Sequence, residues 1–173
     1  MFLKARSRGG GFSLEEVSVP REGMSPLIGK LLDHWRRTRP GPDLLPPVRA
    51  IDVAEIARLD PAIVPHLWLL HVERDPVRFR YRLIGGALRD AGALAVVGEH
   101  VDERDDGPVQ RGLEALVRSG RPGYRIGKPH LPHQTRVLAL EALVLPYGDD
   151  GRTADRLLNC TVYHWQEGYG PRG

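Results

Sequence analysis

The chain has 173 residues and a mass of 19.3 kDa, the size of one ordinary domain with some tail, which argues against two full domains. Its 25 basic and 22 acidic residues leave a net charge of only +3, and every basic residue except Lys4, Lys30 and Lys128 is Arg, so the pI of about 9.3 reflects an Arg-rich composition and not a dedicated polyanion surface. The single cysteine, Cys160, excludes an intramolecular disulfide framework and a multi-cysteine zinc site, and the longest apolar runs fall short of the ~20 residues of a membrane span, so a cytoplasmic protein without membrane contact is expected.

Residues 1–23 hold a triple glycine and charges of both signs without a sustained period, and they are expected to form a flexible arm. From Ser25-Pro26 onward Leu27, Ile28, Leu31, Leu32 and Trp35 share one face of a predicted helix over 24–39, with Ser25 as its cap and Lys30, Arg36, Arg37 and Arg39 as a solvated basic cluster. Asp52 caps a short helix through Arg58, with Glu55 at the capping-box spacing, and Asp60-Pro61 repeats the start signal. His66–Val72 and Arg78–Ile84 then predict an antiparallel hairpin about Asp75-Pro76. In its second strand Phe79, Tyr81 and Leu83 point one way and Arg80, Arg82 and Ile84 the other.

Gly85-Gly86 breaks that strand, Ala87–Val97 predicts short crossing helices, and Asp105–Arg118 a longer one closed by Gly120. Three strands follow, over 124–126, 136–146 and 156–165, and 166–173 is a tail. The last strand is apolar on both sides, with Leu158, Cys160 and Val162 on one and Leu157, Tyr163 and Trp165 on the other, so its sheet needs two covers. The expected fold is α+β: a five-stranded antiparallel sheet, short crossover helices on one face, and the amphipathic N-terminal helix on the other. That helix could dock through Leu27, Leu31 and Trp35 on its own sheet or on a second copy, which makes a homodimer an expectation.

The runs Leu32-Asp33-His34-Trp35-Arg36, Pro65-His66-Leu67-Trp68-Leu69-Leu70, Phe79-Arg80-Tyr81-Arg82-Leu83-Ile84-Gly85 and Leu140-Glu141-Ala142-Leu143-Val144-Leu145-Pro146, with Asp52, resemble the stand-alone PAS-domain family common in alphaproteobacteria. The resemblance spans about residues 24–165, with the core over 66–165. It departs at Gly86, where the family carries Thr or Ser, so the first crossover helix lacks a hydroxyl cap. It implies a sensing or docking module with a pocket between the sheet and the crossover helices. Trp68, Tyr81, Arg82 and Tyr124 are the candidate ligand-binding residues; strand alternation lets either Tyr81 or Arg82, but not both, face that pocket. Arg82 there would suit an anion, and Tyr81 an apolar ligand.

No cofactor follows from the residues. A flavin-reactive Cys would sit in a crossover helix, whereas Cys160 lies in the last strand and is expected to be a buried hydrophobe; the long crossover helix has no His for haem. His130 and His133 are expected to be loop histidines, not metal ligands, His100 with Glu99 and Asp102 a solvated loop, and Glu141 a rim carboxylate paired with an Arg. No catalytic triad or phosphate loop is present in the sequence. The expectation is a non-enzymatic sensor or adaptor with no output domain of its own, acting through a small-molecule ligand, a homodimer or a signalling partner, with nucleic acid disfavoured. The alternatives are a structural dimerisation module without ligand, or a small cone-shaped enzyme of the ketosteroid-isomerase type using Glu141 as base.

Overall fold

Helix α1, Pro26–Thr38, opens the regular structure of the computed structural model, which describes residues 23–93, 95–103, 107–128 and 136–170. The expected arm therefore lies outside the described residues, apart from Gly23. Ile28, Leu31, Leu32 and Trp35 are buried along one face of α1, each such side chain contributing about 2 kcal/mol by leaving water. Ser25 precedes the helix, but its hydroxyl makes no cap bond. Asp52 does cap α2, Val53–Leu59: its Oδ1 accepts from the backbone N–H groups of Ala54 and Glu55 at 2.8 and 3.1 Å. Asp60 starts a 3-10 helix over Pro61–His66 in the same way.

Strands β1, Leu67–Glu73, and β2, Arg78–Ile84, form the expected hairpin. Helix α3, Gly86–Asp90, starts without a side-chain cap; its cap position is Gly85, and Gly86, where a hydroxyl cap was expected to be missing, is its first helical residue. Helix α4, Pro108–Ser119, begins three residues later than expected and ends at Gly120, whose positive φ of 63° is left-handed. Strands β3, Gly123–Gly127, β4, Val137–Tyr147, and β5, Arg156–Trp165, complete an α+β fold whose sheet has the order β2-β1-β5-β4-β3, with every neighbouring pair antiparallel.

Because residues paired across strands share a face, the register defines two rows. Ile84, Trp68, Asn159, Val144 and Gly123 run across all five strands on one side. Helix α4 covers this side: a Cβ on Gly123 would come within 2.7 Å of Leu116, so the missing side chain lets the helix seat on the sheet. Leu67, Cys160, Leu143 and Tyr124 form a row on the other side. Helix α1 covers that one, tied at its start to Glu141 and at its end by the indole N–H of Trp35, which donates to the Pro146 carbonyl at 2.9 Å. Leu31 and Trp35 are thus consumed in the chain's own core and Leu27 packs half-buried against it, so the surface expected for docking a second copy is occupied internally. Among the described residues no helix is long and apolar enough to cross a membrane.

Candidate functional site

The face of the sheet under α4, here the helix-covered face, carries polar groups in the middle of the sheet. Asn159 and Thr161 occupy alternate positions of β5, so both point toward α4, and both are buried. The Trp68 indole N–H donates to Thr161 Oγ1 at 2.9 Å. Asn159 Nδ2 donates to the Leu157 carbonyl at 3.0 Å and more weakly to that of Trp68 at 3.4 Å, while its Oδ1 is buried with no hydrogen-bond partner. The Trp68 and Tyr81 rings lie 6.0 Å apart between centroids, tilted by 37°. The same face carries Arg125 on β3 and Tyr163 on β5: burial pulls the Arg125 guanidinium below its ordinary range and pushes the Tyr163 phenol up to about 12. Beside the half-buried Arg125, this face is mainly apolar around an amide oxygen that lacks a donor, and an N–H or O–H group is what would answer it.

Of the four predicted ligand residues, the structure brings Trp68 and Tyr81 together and separates the other two. The pairing of Leu69 with Leu83 and of Leu70 with Tyr81 skips Arg82, which is the extra residue of a β-bulge and is exposed. The bulge also corrects the alternation predicted for β2: Ile84 pairs with Trp68 and joins Phe79 and Tyr81 on the helix-covered side, whereas Leu83 pairs with Leu69 on the other. Tyr124 lies on the α1 side, where its hydroxyl donates to Glu141 Oε2 at 3.0 Å. Asn159 and Thr161 were not among the predicted residues; two polar residues at alternate positions of an otherwise apolar strand are the signal that marks them.

Glu141 differs from expectation as well. It is not a rim carboxylate paired with Arg but a buried one, 4% exposed. Its Oε2 accepts from the Ser25 backbone N–H at 2.9 Å and from Tyr124, and its Oε1 meets His164 Nε2 at 2.9 Å. One side chain of β4 therefore fastens α1, β3 and β5, and burial together with this carboxylate raises the Tyr124 phenol above its ordinary range.

Cys160 is fully buried, its thiol pushed up to about 12 by burial and then by Glu141, which makes it an inert packing group. His100 is not part of a solvated loop but 7% exposed, with both ring nitrogens on carboxylates. His130 and His133 lie outside the described residues, and among the described residues no group of three or more His, Cys, Asp or Glu side chains could hold a metal ion. The basic cluster of α1 is largely engaged: Lys30 pairs with Asp60 at 2.7 Å, Arg36 lies 3.6 Å from Asp33, and the Arg39 guanidinium stacks 4.8 Å from the centre of the Trp35 ring. Comparison of the chain with protein-family models, with curated proteins and with solved structures finds no match.

Proposed function

We propose that the chain is a PAS-like sensor or adaptor, without enzymatic activity, that binds a small neutral ligand between its sheet and α4 and reports through contact with a signalling partner or a second copy. The observation that carries this reading is the Asn159 carboxamide. It is fully buried, it faces the helix-covered side beside Trp68 and Thr161, and its Oδ1 has no donor. Leaving such an acceptor unanswered costs about 1–3 kcal/mol, which a bound N–H or O–H would recover. The five-stranded antiparallel sheet with helices inserted between β2 and β3 supports the family resemblance of residues 24–165. Native mass spectrometry of the freshly purified full chain tests it. The wild type is expected to carry a small molecule above the polypeptide mass, and Asn159→Leu to fold but to show the bare polypeptide.

A second reading has its own support. The close seating of Leu116 on Gly123 is what a filled core needs, and such a domain would act as a structural interaction module without ligand. Bare polypeptide mass for the wild type, with Asn159→Leu more stable than the wild type in urea, would favour this reading over the sensor.

A further inference from the structure

Strand β2 is an outer strand of the sheet, yet its free edge is occupied. The Tyr81 N–H donates to the Glu99 carbonyl at 3.0 Å, the Gly98 N–H donates to the Tyr81 carbonyl at 2.9 Å, and Arg80 bridges to His100. Segment 98–103 is therefore a short strap along β2. Backbone pairing this brief is marginal by itself, so side chains must hold it.

Val101, in a 3-10 turn over Val101–Glu103, is buried in the core and anchors the middle of the strap, and the groups around it hold it through charge. His100 Nε2 lies 2.8 Å from Glu73 Oε2 on β1, and its Nδ1 lies 2.9 Å from Glu103 Oε1 on the strap. A neutral imidazole has one N–H and one lone pair, so it can satisfy only one of these carboxylates and must turn a lone pair toward the other. The doubly protonated ring satisfies both. The remaining charged groups around the ring are paired by arginines of β2. Arg80 Nε donates to Glu73 Oε1 at 2.6 Å, its Nη1 donates to the Gly98 carbonyl at 2.8 Å, and Arg78 grips Asp102 with two bonds of 2.8 Å while standing 3.8 Å from Glu103. The Arg80 guanidinium first, and His100 second, hold the Glu73 carboxyl down to about 2, so this acid stays ionised through the neutral range.

We propose that His100 is a proton-operated latch: the imidazolium closes strap 98–103 on the edge of β2, and loss of one ring proton loosens its first half, which Arg80 alone among these side chains then holds, through the Gly98 carbonyl, while Val101 and the Arg78–Asp102 pair keep the other half seated. The Arg–carboxylate pairs keep their charges when the ring loses a proton, which confines the change to the His100 contacts. Opening bares the backbone of β2 at Tyr81, the strand edge nearest the Trp68–Tyr81 pair, as a place where another extended segment can pair. The latch does not depend on the ligand reading, because it concerns backbone protection in the chain itself.

Amide exchange by NMR on the full chain tests it, with protection factors corrected for the intrinsic pH dependence and the His100 ring followed by its nitrogen shifts. Protection of the Tyr81 and Gly98 amides is expected to fall about tenfold as the His100 ring loses its second proton, the loss of one hydrogen bond to a charged group, while the amides of β4 stay unchanged. In Glu103→Gln the neutral amide can answer either form of the ring, so the strap is expected to remain closed across the range. In His100→Gln protection is expected to be low throughout and independent of ring titration. A wild-type strap whose protection does not change while the ring titrates, or a Glu103→Gln strap that opens as the wild type does, overturns the latch.

Discussion

Glu141 on β4 and His164 on β5 meet on a diagonal of the sheet. In register Glu141 faces Val162 and His164 faces Ala139, yet the imidazole Nε2 reaches Glu141 Oε1 at 2.9 Å. The remaining oxygen of Glu141 serves Ser25 and Tyr124, so the buried acid answers donors from three elements. This arrangement gives a carboxylate, normally costly inside a protein, a full set of partners.

Removing the carboxylate strands its donors. Glu141→Ala is expected to lower unfolding stability by about 3 kcal/mol, because the Ser25 N–H and the Tyr124 hydroxyl lose their acceptor. His164 is 49% exposed on its side chain, and His164→Ala is expected to cost no more than about 1 kcal/mol. Urea unfolding of both variants checks the ranking; equal losses would show that the bond to His164, and not those to Ser25 and Tyr124, dominates.

Stability is expected to fall on mild acidification. His34 is 3% exposed, its Nε2 has no partner, and burial lowers its pKa, aided by Arg37 and opposed by Glu55. His71 shifts the same way, through burial and then Arg156. For a base whose folded pKa is lowered, the unfolded chain binds more protons, so the stability is complete above the unfolded value of about 6.5 and is lost as pH falls toward the folded value. Urea midpoints at about pH 7 and about pH 5 are expected to decrease in that order for the wild type. His34→Leu is expected to flatten part of the slope, and an unchanged slope would remove His34 as a cause.

Tyr147 places an unpartnered hydroxyl in the core: it is fully buried, and burial raises its phenol above the ordinary range. Since that group makes no hydrogen bond, Tyr147→Phe is expected to be neutral or stabilising by up to about 1 kcal/mol in urea or thermal unfolding. A loss above about 1 kcal/mol would mean that the hydroxyl has a partner in solution.

The adjacent glycines at the end of β2 are expected to behave oppositely. A Cβ on Gly85 would overlap the Pro65 carbonyl, whereas one on Gly86 meets nothing within 4 Å and sits in the first turn of α3. Gly85→Ala should destabilise by roughly 2 kcal/mol or more through backbone overlap, and Gly86→Ala should stabilise by about 0.5–1 kcal/mol by restricting the unfolded chain. Paired thermal melts provide the comparison, and a Gly85→Ala variant as stable as Gly86→Ala would contradict the tight approach of the Pro65 turn.

The elements whose cause is local are legible along the chain. The apolar stripe of α1, the Asp52 cap, the hairpin flanking Asp75-Pro76 and the bounds of β5 all follow from periodicity and short-range hydrogen bonding, which need no distant partner. The two-sided apolar character of β5 also required that the sheet be covered twice. Which side each site residue faces, and what it meets, depends instead on contacts far apart in the chain. One skipped residue at Arg82 moved Ile84 to the helix-covered face, because a bulge shifts the alternation for every residue beyond it. Glu141 and Ser25 are 116 positions apart, and His100 and Glu73 are 27 apart, so neither contact has a local sequence signal. Strand order and register bring those groups together: the expected rim carboxylate is a buried, fully partnered one, and the expected solvated loop holds a buried imidazole between two partly exposed carboxylates.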